Sequence, residues 1–72
     1  MGRLCSLSGM DVCRILERNG FLEMRRRGSH IVMQKNVEGS TVTVPVPDHK
    51  EIKTGTLSSI IRQSGLARSE FE

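Results

Sequence analysis

The two histidines of this 72-residue chain are its side chains best suited to moving a proton near neutral pH, and one of them, His30, stands directly after a basic run. His30 follows Arg25-Arg26-Arg27-Gly28-Ser29, and His49 follows Pro45-Val46-Pro47-Asp48 and precedes Lys50. An imidazole beside fixed cations can exchange a proton while the cations hold a phosphate. That pairing suits RNA cleavage, because RNA carries its own nucleophile, the 2′-hydroxyl, and asks only for proton transfer and charge stabilisation. His30 is therefore the catalytic candidate, as general base or general acid. Arg25, Arg26, Arg27, Lys50 and Lys53 are candidates to hold the phosphate backbone, with Gly55 and Thr56 adding free amides at a helix start. Ser29 and His49 are auxiliary candidates; for His49 a structural role in a rigid Pro-Asp loop is the stronger expectation.

Each of these residues also has a plainer reading. A run of arginines is commonly a solvated strand edge, Gly28 is explained by a turn, and Lys53 to Thr56 by helix capping. On residue chemistry alone, an RNA-binding module without catalysis is the safer reading, and an interaction protein is a third. Other chemistries fare worse. Ser29 lacks an acidic or second histidine partner at a recognisable spacing, which argues against a serine nucleophile. Cys5 and Cys13 have no second pair or histidine at zinc spacing, so structural thiols in a reducing compartment are expected, and no metal or other cofactor.

Charge and length narrow the partners. Eleven Lys and Arg face eight Asp and Glu, and two of the acids, Glu70 and Glu72, lie at the extreme C-terminus, so the body of the chain is basic and expects an anion. Phe21 and Phe71 are the only aromatic residues, and neither sits in a basic strand pattern. Modules that stack bases on aromatic platforms are thereby disfavoured. No run approaches the ~20 apolar residues of a membrane helix, and the N-terminus has no apolar signal core, so a soluble cytoplasmic protein is expected. The length suits one domain, residues 1–72.

Helices and strands in a simple order must position these residues. Ser8 followed by Asp11 forms an N-terminal capping box, Leu7 and Val12 can staple it, and Val12, Ile15 and Leu16 make its buried stripe before Asn19-Gly20 ends the helix. Strands follow at Phe21 to Arg26, Ile31 to Met33 and Thr41 to Val44, separated by turns at Gly28-Ser29 and Glu38-Gly39. Pro45 and Pro47 end the third strand or mark it as a sheet edge. Thr54 should cap a last helix with Leu57, Ile60 and Ile61 inside, stopped at Gly65 with Leu66 folding back in a Schellman closure. A final turn near Ser69 to Phe71 brings Phe71 to the core. The expected class is α+β: helix, three antiparallel strands, helix, with the helices on one face of the sheet.

The segments Gly20-Phe21, Arg27-Gly28-Ser29-His30, Val44-Pro45-Val46-Pro47-Asp48-His49-Lys50-Glu51-Ile52-Lys53, Gly55-Thr56-Leu57 and Ile60-Ile61-Arg62-Gln63-Ser64-Gly65-Leu66 together resemble the HicA (YcfA-like) family. The likeness runs from about Ser8 to Phe71. It implies a double-stranded-RNA-binding-like fold and an mRNA-interferase toxin of a type II toxin–antitoxin pair that cuts RNA without needing the ribosome. It also implies that the histidine of the Gly-Ser-His motif, His30 here, is catalytic. The implied partner is a HicB-type antitoxin that binds the toxin and covers its site.

Overall fold

A computed structural model describes residues 6–72; Cys5 lies outside the described residues. Helix α1 (Gly9–Arg18) is followed by strands β1 (Leu22–Arg27), β2 (His30–Val37) and β3 (Ser40–Pro47), helix α2 (Thr54–Ser64) and a final 3-10 turn, Arg68–Phe71. The strands form one antiparallel sheet in the order β1-β2-β3. This is the expected α+β order of elements.

The start of α1 is held as its residues predict. Ser8 Oγ accepts from the Asp11 N–H at 3.1 Å, and Asp11 Oδ2 accepts from the Ser8 N–H at 3.1 Å. The Ser8 backbone N–H foremost, and then the Ser8 hydroxyl, hold the Asp11 carboxyl below its usual range. Val12, Cys13, Ile15 and Leu16 are buried on the inner face of the helix, and Leu7 packs against the same core. Burial, and then the nearby Glu23 and Glu17 charges, push the Cys13 thiol up to about 11, so Cys13 is a neutral packing residue.

Each hairpin closes through a two-residue turn, which fixes the register. Gly28, at φ 57°, supplies the positive φ that a type II′ turn needs at its first central position. The ladder then pairs Arg27 with His30, and His30 with Pro47. Side chains alternate from there: Ile31, Met33, Val44 and Val46 point inward, each 0% exposed, while His30, Val32, Pro45 and Pro47 share the opposite face. The inner residues join Phe21, Ile52, Leu57, Ile60 and Phe71 in one core.

Three expectations need correction, and one open alternative is decided. β2 and β3 run longer than their apolar patterns, because a register set by tight turns supplies ladder partners as far as Val37 and Pro47. The prolines mark a sheet edge, and Pro47 is also the last residue of β3: both sit at alternate positions whose ring nitrogens face away from β2, where no N–H is needed. Lys53, not Thr54, is the N-cap of α2; its backbone is extended (φ −63°, ψ 146°) and its carbonyl takes the Leu57 N–H at 2.9 Å, while its side chain makes no capping bond. Finally, the end of α2 is only half a Schellman closure. The Gly65 N–H reaches the Arg62 carbonyl at 3.3 Å, but the Leu66 N–H goes to Ser64 Oγ at 3.1 Å, and that hydroxyl donates to the Ile61 carbonyl at 2.7 Å. Phe71 is 1% exposed, as its expected turn requires.

Candidate active site

The segment between β3 and α2 is pinned from three sides. Arg26 Nη1 donates to Asp48 Oδ2 at 2.5 Å, and the Asp48 N–H reaches the Ser29 carbonyl at 2.6 Å. From α1, the Gly9 N–H donates to the His49 carbonyl at 2.8 Å. Just before that helix, the Leu7 carbonyl accepts from the Ile52 N–H at 2.8 Å. The approach at Gly9 is close enough that a Cβ there would lie 2.3 Å from the Pro47 carbonyl oxygen. Residues 47–52 are thus seated on the start of α1 and clamped to the first hairpin.

Beside this segment, between the sheet and α2, lies a cavity of about 470 Å³. His30 comes to it from the start of β2, His49 from the clamped loop, and Lys53 and Thr56 from the start of α2. Pro45 and Pro47 wall its sheet side, and Ile52 and Ile60 join it to the core. Two imidazoles and an ammonium therefore converge on a half-apolar wall, a combination able to hold an anion and move protons around it. Both histidines are exposed. Neither imidazole makes a hydrogen bond among the described residues.

The arginine run divides between two faces. Arg27 stands directly across the ladder from His30, and Arg25 pairs with Val32, so both share the His30 face. Arg26 pairs with Ile31, lies on the helix side and is tied to Asp48. The Asp48 pairing raises the affinity of Arg26 for its proton and fixes it as a brace. Lys50 and Gly55 lie outside the cavity, and Ser29 sits in the turn with its carbonyl committed to Asp48. Of the residues singled out in the sequence, the structure brings His30, His49, Lys53 and Thr56 together, with Arg27 and Arg25 alongside.

Two contributors escaped the sequence. Gly9 carries no signal there, and Asp48 reads only as part of a rigid Pro-Asp loop, yet both hold the loop that carries His49. Only the proximity of Asp48 to the prolines hinted at a stiff segment.

A family model described as the HicA toxin of bacterial toxin–antitoxin pairs matches residues 9–66. The chain belongs to the HicA toxin family. The match spans every residue that lines the cavity. No curated protein matches the chain. As a HicA toxin it is the toxic member of a pair, and the natural partner of such a protein is its antitoxin. Among the described residues no group of His, Cys, Asp and Glu could hold a metal ion, and no helix is long and apolar enough to cross a membrane.

Proposed function

We propose that this HicA toxin is a ribosome-independent mRNA interferase, a cytoplasmic endoribonuclease that works without a metal and is neutralised when a HicB-type antitoxin covers the cavity. The observation that carries this reading is the placement of His30, exposed at the cavity with Arg27 directly opposite it in the ladder. RNA lies along the face bearing Arg25 and Arg27 and reaches the start of α2 at Lys53, Gly55 and Thr56, with Lys50 nearby. His30 exchanges a proton with the reacting ribose as the 2′-oxygen attacks phosphorus. Arg27 and Lys53 steady the charge that gathers on the phosphorane oxygens. Arg26 acts indirectly, through Asp48, and Ser29 serves the turn.

Purified toxin and its His30→Ala variant, each incubated with one defined transcript, test the reading. Wild type should cleave, and the variant should lose ~10²–10⁴-fold in rate. Its melting temperature should hold, because His30 is exposed. Equal RNA binding without cleavage by either protein would favour a non-catalytic RNA-binding module. No RNA interaction at all would leave a protein-interaction domain. Among the arginines, Arg25→Ala and Arg27→Ala should each lower the slope of log affinity against log salt by about one, as loss of a phosphate contact does. Arg26→Ala should instead lower the melting temperature.

A further inference from the structure

We propose that His49 is the second proton-transfer group of this site: the general acid that protonates the leaving 5′-oxygen while His30 takes the proton of the 2′-hydroxyl. The proposal rests on the nuclease reading and adds to it a residue whose expected role was structural.

The geometry separates the two things His49 could do. Its structural work is done by its backbone, whose carbonyl accepts the Gly9 N–H at 2.8 Å. Its imidazole is exposed, makes no hydrogen bond among the described residues, and lines the cavity that His30 also lines. The backbone anchor is reinforced on both sides, by the Arg26–Asp48 pair before it and the Ile52–Leu7 bond after it. A side chain with no packing or bonding duty, on a backbone held this firmly, is well placed to act on a bound phosphodiester. The titratable groups that share the cavity are His30 from β2, Glu51 from the loop and Lys53 at the cap of α2. Glu51 is engaged, accepting from Ser6 Oγ at 2.8 Å, and Lys53 stands at the start of α2, where its part is to hold charge.

The chemistry asks for a second group. As the O2′–P bond forms, the P–O5′ bond breaks, and an unprotonated alkoxide is a poor leaving group. One imidazole cannot accept the 2′ proton and deliver another to the 5′-oxygen in a single step. With His30 neutral and His49 protonated at the outset, the 2′ proton passes to His30 and a proton from His49 passes to the 5′-oxygen. The products are a 2′,3′-cyclic phosphate and a 5′-hydroxyl end. The two imidazoles finish with their protonation reversed and are reset by exchange with water, and no electrons change hands.

The test compares wild type, His49→Ala, His49→Gln and His30→Ala on one oligonucleotide, made with either a normal 5′-oxygen or a bridging 5′-sulfur at the scissile position. The sulfur leaves as a thiolate and needs no proton. Both His49 variants should lose ~10²-fold or more in kcat on the normal substrate, with RNA affinity and melting temperature unchanged. They should also lose the fall in rate at alkaline pH that a general acid imposes, and recover on the sulfur substrate. His30→Ala should stay inactive on both. Full activity of the His49 variants would overturn the role of His49 and leave the nuclease reading standing. So would a loss that the sulfur substrate does not rescue, or one that follows a falling melting temperature. Absence of cleavage by wild type would overturn the nuclease reading itself, and this inference with it.

Discussion

The two helices begin in opposite ways, although both starts border the same loop. At α1, Ser8 and Asp11 satisfy each other's amides, and the Gly9 N–H is spent on the His49 carbonyl. At α2, Lys53 caps with its backbone alone, no acidic residue lies in the first turn, and the space around Gly55 is open. One start spends the amides of Ser8, Gly9 and Asp11 on holding the fold. The other leaves the Lys53 side chain without a capping bond and the space at Gly55 open. Here the side-chain cap belongs to the helix that anchors the loop, and the helix that lines the cavity has none.

That contrast can be broken by substitution. The largest effect on stability is expected from Gly9→Ala, whose new methyl would lie 2.3 Å from the Pro47 carbonyl oxygen and 2.9 Å from the Asp48 Cα. Both are backbone atoms, so the helix start or the loop must shift, at about 1–3 kcal/mol of destabilisation. Cleavage should fall as well, since the same segment carries His49; urea melts alongside a transcript assay would read both. A methyl accommodated with neither change would mean that the seat of the loop is softer than the contact implies.

Next come two cap exchanges with opposite signs. Ser8→Ala should cost about 1 kcal/mol and leave RNA affinity alone. Lys53→Ser gives α2 the side-chain cap it lacks and should stabilise by up to about 1 kcal/mol, while weakening RNA binding and flattening its salt dependence. If both exchanges moved stability and binding in the same direction, the division between supporting and facing helix starts would be lost. The smallest effect concerns acid. Because folding holds the Asp11 carboxyl below its unfolded value, its contribution is full above the usual carboxylate range and disappears as pH falls through the folded value. Asp11→Asn should melt below wild type at pH 7, with the gap closing toward acid pH.

Much of the architecture was readable because its signals are local. The capping box spans four residues, the stripes of α1 and α2 lie within two or three turns, and the tight hairpin turns name themselves. What was hidden depends on distance or on a defect in regularity. Arg26 and Asp48 meet across 22 positions of chain, and nothing in either neighbourhood announces the other. The arginine run was misleading for a second reason. Strict alternation from Leu22 would set Arg26 on the same face as Leu22, but the register shifts between Glu23 and Arg25. That bulge turns Arg25 and Arg27 to the His30 face and Arg26 to the helix side. The candidate site was legible as a set of residue types, and it was the loop clamp that grouped them.

The parity of β2 has a consequence for genetics. His30, Val32 and Gln34 face one way, and Ile31 and Met33, both 0% exposed, face the other. Changes at Ile31 or Met33 are expected to unfold the chain, whereas changes at the even positions are expected to leave it folded. A one-residue slip of β2 in the sheet would exchange the two sets at once. Point mutation is therefore expected to act on this strand in two separable ways, through the core or through the exposed face, and a slip of one residue would strike both together.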